Sequence, residues 1–299
     1  MYENELLKEY ISNSELRIYS KNIRVRLSKE LASNYGNGLY NAYLEKIDKY
    51  YEEIKTLGIK YPNGKEPIIY IYIVPDNNYA KLLDVPEIFD DGMGCGKPVK
   101  CYDNDGFSYA YGRNNDLTII LSDIEPDISY IENNIHELSH LVHGEFFQNS
   151  SLFGEGFAEA LPLYLLDYED IFDEHREMIS SLLPEQVLTA SELINQEMNE
   201  TFGAESVIPD SSCSFRYSYI SSYLLVRGII ETIEKNTGYS KIESLQIFLD
   251  FMREKNELYD EEILSDLAKQ FNMDFDTLLN KKDIQLSVIE KIKNKGMQK

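Results

Sequence analysis

Long apolar runs are missing from this 299-residue sequence. No stretch reaches eighteen apolar residues, so no segment reads as a membrane-spanning helix. The first residues, "MYENELLKEYISNSELRIYS", lack a basic stretch followed by an apolar one. No secretory signal is expected from that pattern, and a cytoplasmic location is the default expectation, with secretion left open. Positive charge is also short: 29 Lys and Arg stand against 52 Asp and Glu, for a net charge of -23 and a pI near 4.5. Such a surface repels phosphate backbones, which excludes nucleic acid as an expected partner. It keeps a protein soluble and favours basic partners only weakly, in a salt-dependent way. Cysteine is scarce at three, and Cys95 and Cys101 stand in "GMGCGKPVKCYD" with no C-x-x-C pair. That spacing argues against a structural zinc knuckle. It leaves two readings, a disulfide in an oxidising compartment or two reduced loop thiols. Internal repeats and low-complexity tracts are absent as well.

With 43% hydrophobic residues, there is ample material for a core. "LRIYSKNIRVRL" (16–27) alternates apolar and charged residues around Ser20-Lys21-Asn22, a hairpin pattern. "GLYNAYLEKIDKYYEEIKTL" (38–57) carries apolar residues at helical spacing and predicts an amphipathic helix ending at Gly58. "PIIYIYIVPD" (67–76) reads as a buried strand, "FSYAYG" as a short one and "DLTIILSD" (116–123) as another. Beyond Pro126 the periodicity turns helical, including 217–236, 240–254, 260–270 and 274–295. The expected organisation is α+β, with a small β-rich N-terminal lobe over 1–125 and a helical lobe over 126–299.

Histidine is rare too, yet three of the four, His136, His140 and His143, fall within eight residues. Asp127 can cap a helix entered through Pro126, and Ile128, Ile131, Ile135, Leu138 and Val142 supply its buried stripe. His136 and His140 are four apart, so their imidazoles project from one face and can fill two corners of a tetrahedral Zn2+ site. Glu137, between them in H-E-x-x-H, stands where a general base can lean over a bound water. A catalytic zinc needs a third protein ligand. The pattern H-E-x-x-H-x-x-G-x-x-H is excluded, because His143 stands where it needs Gly and Phe146 where it needs His. "FGEGFAEALPLYLL" instead offers Glu155 and Glu159, one turn apart, one to ligate and one to support a ligating histidine. Pro162 inside that segment should kink the helix or mark its start. His143 falls on the side of the face away from His136 and reads as a polar cleft residue, and His175 as a surface helix residue.

"HELSH" followed by "GEGFAEAL" resembles the gluzincin zinc metallopeptidases, in particular the thermolysin-like domains of zinc aminopeptidases and their smaller peptidase-MA-like relatives. The resemblance covers roughly residues 65 to 280. It implies His136, His140 and Glu155 as ligands of one Zn2+ per chain, Glu137 as the base and Glu159 as the carboxylate behind a histidine. "YSYISSYLLVRGIIE" is similar to the segment that carries the family's transition-state tyrosine. Tyr219, with Ser222 three on and Tyr223 next, is the residue of choice, and Tyr217 and Tyr223 are its alternatives. The resemblance further implies a thermolysin-like fold with the active-site cleft between the lobes, edged by the "DLTIILSD" strand.

The sequence departs from the family in two places. No G-x-M-E-N segment, the family's grip on a free substrate N-terminus, is present. Fourteen residues separate "HELSH" from Glu155, whereas the eighteen-residue spacing of the zinc aminopeptidases falls on Glu159. The expected function is zinc-dependent hydrolysis of peptide or protein substrates, by an endopeptidase or processing protease. The alternatives are an aminopeptidase or a catalytically silent binding protein of the same fold.

Overall fold

The computed structural model describes residues 9, 12–29, 41–58, 66–74, 108–113, 116–122, 128–143, 151–166, 173–201, 211–255 and 258–296. It is mixed α+β and mostly helical. Two compact units divide it, Met1–Val142 and His143–Lys299.

The first unit is built on a five-stranded sheet. Strands β1 (Ser14–Ile18) and β2 (Ile23–Ser28) form the expected hairpin, with Ile18 opposite Arg24 and Leu16 opposite Arg26. Helix α1 (Asn41–Thr56) then crosses over to β3 (Ile69–Val74), which runs parallel to β2. A parallel pair needs such a crossover, and a helix supplies it. Alternation sends Ile23, Val25 and Leu27 with Ile69, Ile71 and Ile73 to one buried face, while the arginines and tyrosines between them stay half-buried. β4 (Ser108–Arg113) and β5 (Asp116–Ser122) are antiparallel, with only two residues between them, the spacing of a tight hairpin. The strand order is β1-β2-β3-β5-β4. This corrects the expectation that the "DLTIILSD" strand is the edge: β5 lies between β3 and β4, and β4 takes the edge because the hairpin folds it outward.

Helix α2 (Ile128–His143) carries "HELSH". Ile131, Ile135, Leu138 and Val142 are its buried stripe, as the periodicity predicts. Two polar side chains, Asn134 and Ser139, are also fully buried on it. Each is met by a tyrosine of α1. The Asn134 amide donates to the Tyr43 hydroxyl, and Tyr50 Oη lies 2.6 Å from Ser139 Oγ. Since Ser139 donates to the Ile135 carbonyl at 2.8 Å, Tyr50 is the donor in its own pair. These bonds place α2 in the same unit as α1, so the division falls after α2 rather than near residue 125. Asp127 and Pro126 lie outside the described residues.

The second unit is helical: α3 (Ser151–Ala160), α4 (Asp173–Ser181), α5 (Ala190–Thr201), α6 (Ser211–Thr237), α7 (Lys241–Glu254), α8 (Asp260–Gln270), α9 (Phe275–Asn280) and α10 (Asp283–Gly296). α6 is its long central element, packed along α3 and also touching α7 and α10. Gly238 ends α6 with φ +75°, and its N–H bonds the Glu234 carbonyl at 2.8 Å. Ser240 and Glu243 then cap α7 reciprocally. The stretch 274–295, expected as one helix, is two. Asp274 caps α9 and Lys281 is extended (φ -115°, ψ 163°), which ends α9 before α10 begins. A shared apolar periodicity hides such a break, since both helices bury a stripe of their own.

Pro162 neither opens the "GEGFAEAL" helix nor simply ends it. α3 runs to Ala160 and continues as one π turn, Leu161–Leu165, closed by the Leu166 N–H on the Leu161 carbonyl at 3.1 Å. Proline has no N–H for the α-helical ladder, and the wider turn accommodates it.

Candidate metal centre

The two histidines of "HELSH" meet as the spacing predicts. His136 Nε2 and His140 Nε2 are 3.0 Å apart, with the rings edge to face. His136 is buried and His140 half-buried. Either one ring donates its Nε2 proton to the other, or both carry their protons on Nδ1 and two lone pairs converge. A third donor decides what the cluster can hold. His136, His140 and Glu155 each offer one ligand atom, and the three atoms lie within 4.8 Å of one another. Two imidazole nitrogens and a carboxylate oxygen at one point form a donor set that a metal cation satisfies. Ligands at 2.0–2.1 Å in a tetrahedron place two nitrogens roughly 3.3 Å apart, close to the separation seen here. The group could therefore hold a metal ion.

Burial separates the two glutamates of α3. Leu152, Phe153, Gly154, Gly156, Phe157, Ala158, Glu159 and Ala160 are all buried, and Glu155 alone in that run is half-buried. Phe153 and Phe157 are fully buried, with the Phe153 ring 6.1 Å from that of Phe248. An apolar helix wrapped this completely fixes the direction in which Glu155 points. Glu159, one turn on, is 8% exposed.

Gly156 explains how α3 lies against α6. A Cβ there would meet the Ser222 carbonyl oxygen at 2.5 Å and Val226 Cγ2 at 2.7 Å. Backbone touches backbone at that point, and Ser221 and Ser222 are buried small residues on the α6 side. Gly156 adjoins Glu155, and Ser222 lies one turn after Tyr219. The contact therefore ties the helix of the candidate ligand to the helix of the candidate tyrosine.

The tyrosines of α6 differ in availability. Tyr223 is 2% exposed, and its hydroxyl accepts from Arg227 Nη1 at 2.8 Å. Burial pushes its pKa up, the Arg227 cation and hydrogen bond pull it down, and the negative charges of Glu231 and Glu159 add to the rise; the net shift is upward. Tyr219 is half-buried, as a donor to a substrate needs to be. The side chains of Tyr217, Glu137, His143 and His175 lie outside the described residues, as do Cys95 and Cys101. Glu137 is nonetheless on α2 between the two histidines.

Sequence reasoning put Tyr43 and Tyr50 on the apolar stripe of the 38–57 helix but missed their bonds to Asn134 and Ser139, because nothing local marks which of 23 tyrosines will face α2. It also missed Gly156 as a contact point, although a glycine inside a helix pattern is itself a signal of close approach.

No protein-family model matches the chain, and no curated protein matches it. Among the described residues no helix is long and apolar enough to cross a membrane.

Proposed function

We propose that this chain is a zinc-dependent peptidase of the gluzincin type, with His136, His140 and Glu155 holding the ion. The observation that carries the reading is the convergence of those three ligand atoms within 4.8 Å, two of them from one H-E-x-x-H helix. When bound, Zn2+ supplies a Lewis acid for the scissile carbonyl and lowers the pKa of an attacking water. Glu137 is the base: its carboxylate takes the water's proton and passes it to the nitrogen of the leaving amine. Tyr219 Oη donates to the oxyanion that develops on the carbonyl oxygen. Glu159 supports a ligating histidine by accepting its second ring N–H, which fixes the tautomer. An extended substrate adds to the edge of the sheet at β4, where strand pairing supplies affinity without sequence preference. Without a G-x-M-E-N segment to hold a free N-terminus, internal cleavage is the preferred mode.

Elemental analysis of protein prepared without chelator, run beside a broad peptide-library digest, tests the reading. Expected are one zinc per chain and cleavage within peptides. Stoichiometric zinc with no cleavage of any library member would instead leave a silent binding protein. No metal at all would remove the reading. Glu137→Gln should keep zinc and fold while cleavage drops by about 10²–10⁴-fold or more, since an amide cannot take the proton. An unchanged cleavage rate in that variant would take the base role from Glu137.

A further inference from the structure

A half-buried arginine lies in the middle of α6. The side chain of Arg227 is 12% exposed. A guanidinium so largely withdrawn from water needs well-placed partners. Nη1 donates to the Tyr223 hydroxyl at 2.8 Å, and Nε donates to Glu231 Oε1 at 2.8 Å. Its Cζ lies over the Tyr164 ring, 4.6 Å from the centroid. Glu231 turns its other oxygen to Lys291 Nζ of α10 at 2.5 Å. Desolvation pushes the Glu231 pKa up, and the hydrogen bonds from Lys291 and Arg227 outweigh it and hold the group below its ordinary range.

Both tyrosines that Arg227 grips bear on the same end of α3. Tyr164 belongs to the π turn that continues α3 directly after Ala160. Its ring also takes Lys241 Nζ at 4.0 Å from the centroid, and its hydroxyl lies 3.4 Å from Glu234 Oε2. Tyr223 follows Ser222, the residue whose carbonyl meets Gly156, one turn before Glu159. With the Tyr223 oxygen accepting from Arg227, the phenolic proton is directed away from the guanidinium. Arg227 thus joins the π turn that continues α3, through Tyr164, to the stretch of α6 that packs on Gly156, through Tyr223.

We propose that Arg227 is a positioning residue for the carboxylates of α3, acting through Tyr223 and Tyr164 to hold Glu159, and by the same helix Glu155, in the orientation the metal ion requires. The inference rests on the metal reading above and adds a residue to it that touches neither metal nor substrate. An arginine is needed rather than a lysine: one planar fork donates in two directions and lies over a ring, which a single ammonium cannot do. Lys291 shares Glu231 with Arg227 but reaches neither tyrosine, so it serves as the control.

The test is zinc affinity, measured by competition with a chromophoric chelator on the full chain, beside a thermal melt of the metal-free protein. Arg227→Met should weaken zinc binding by about 10–100-fold, the usual size of a loss outside the ligands themselves. Arg227→Lys should restore little of that loss. Tyr223→Phe should weaken binding by about tenfold with the fold intact. Lys291→Met should lower the melting temperature and leave zinc affinity within about twofold, because it acts only on stability. A purely structural arginine would lower the melting temperature in Arg227→Met yet leave the affinity of the folded protein unchanged, and that result overturns the proposal. If Arg227→Met does not fold, an unchanged affinity in Tyr223→Phe overturns it instead. A parent protein that binds no zinc removes the metal reading and this inference together, whereas a zinc-binding parent with unaffected variants removes the inference alone.

Discussion

Glu155 and Glu159 occupy one face of one helix, a turn apart, and differ in depth. Glu155 is half-buried in a segment whose other described side chains are buried, whereas Glu159 is 8% exposed. A ligand in a catalytic site has to share its metal with water and substrate, so partial exposure suits Glu155 and depth suits a supporting carboxylate. Glu155→Ala is therefore expected to abolish most zinc binding, and Glu159→Ala to weaken it by about 10–100-fold. Zinc titration of the two single variants checks the order; the reverse order would make Glu159 the ligand. The tyrosines divide in the same way. Tyr219→Phe should lower kcat by about 10²–10³ with little change in KM, because a donor used only by the oxyanion acts on the transition state. Steady-state kinetics on one cleavable peptide measures this, and an intact kcat would pass the role to Tyr217 or to no tyrosine.

Two buried glycines show how the helices are spaced. Gly156 of α3 faces the backbone of Ser222, while Gly228 of α6 faces the side chain of Ile284 on α10. Neither neighbour gives easily: a carbonyl in mid-helix is fixed, and Ile284 Cγ2 branches at the Cβ of a helical residue that is stiff at χ1. Gly156→Ala should thus cost about 1–3 kcal/mol through overpacking, against a helix-propensity gain of up to about 1 kcal/mol. Gly228→Ala receives the same gain and meets a contact at least as tight, 2.2 Å at Ile284 Cγ2, so it should cost a similar amount. Denaturant melts of both variants check this, and a Gly156→Ala variant as stable as the parent would refute the close backbone contact at Gly156. The same helix pair explains the π turn: α3 is held against α6 at Gly156, so Pro162 widens the helix a turn later without displacing Glu155.

A ligand that binds only the folded chain stabilises all of it. With free zinc at about 100 times its Kd, the added stability is about 2.7 kcal/mol. In a chain of this size that raises Tm by roughly 4 °C. Thermal scans with added zinc and with excess chelator measure the difference, and coincident curves would count against a folded-state metal site. The charge of -23 bears on the same scale. Local charge need not follow it, since Arg227 and Lys291 converge on Glu231 inside an acidic protein.

The local content of the site was written in the sequence. A four-residue spacing on a helix puts two imidazoles on one face whatever surrounds them, and His136 and His140 meet accordingly. The alternation in 16–27 and 67–76 and the buried stripe of α2 were legible for the same reason: period follows from backbone geometry, and period is local. The rest depended on partners far away in the chain. Which strand takes the sheet edge depends on how a hairpin folds onto β3, and no periodicity in β5 encodes it. Which tyrosines satisfy Asn134 and Ser139 depends on the packing of α1 against α2. That Glu155 is half-buried and Glu159 buried depends on what packs around α3, and Arg227 gains its partners only when α6, α10 and the π turn come together. Spacing along one helix determines which side chains share a face, but only the elements packed against that face determine which of them stays half-exposed and which is buried.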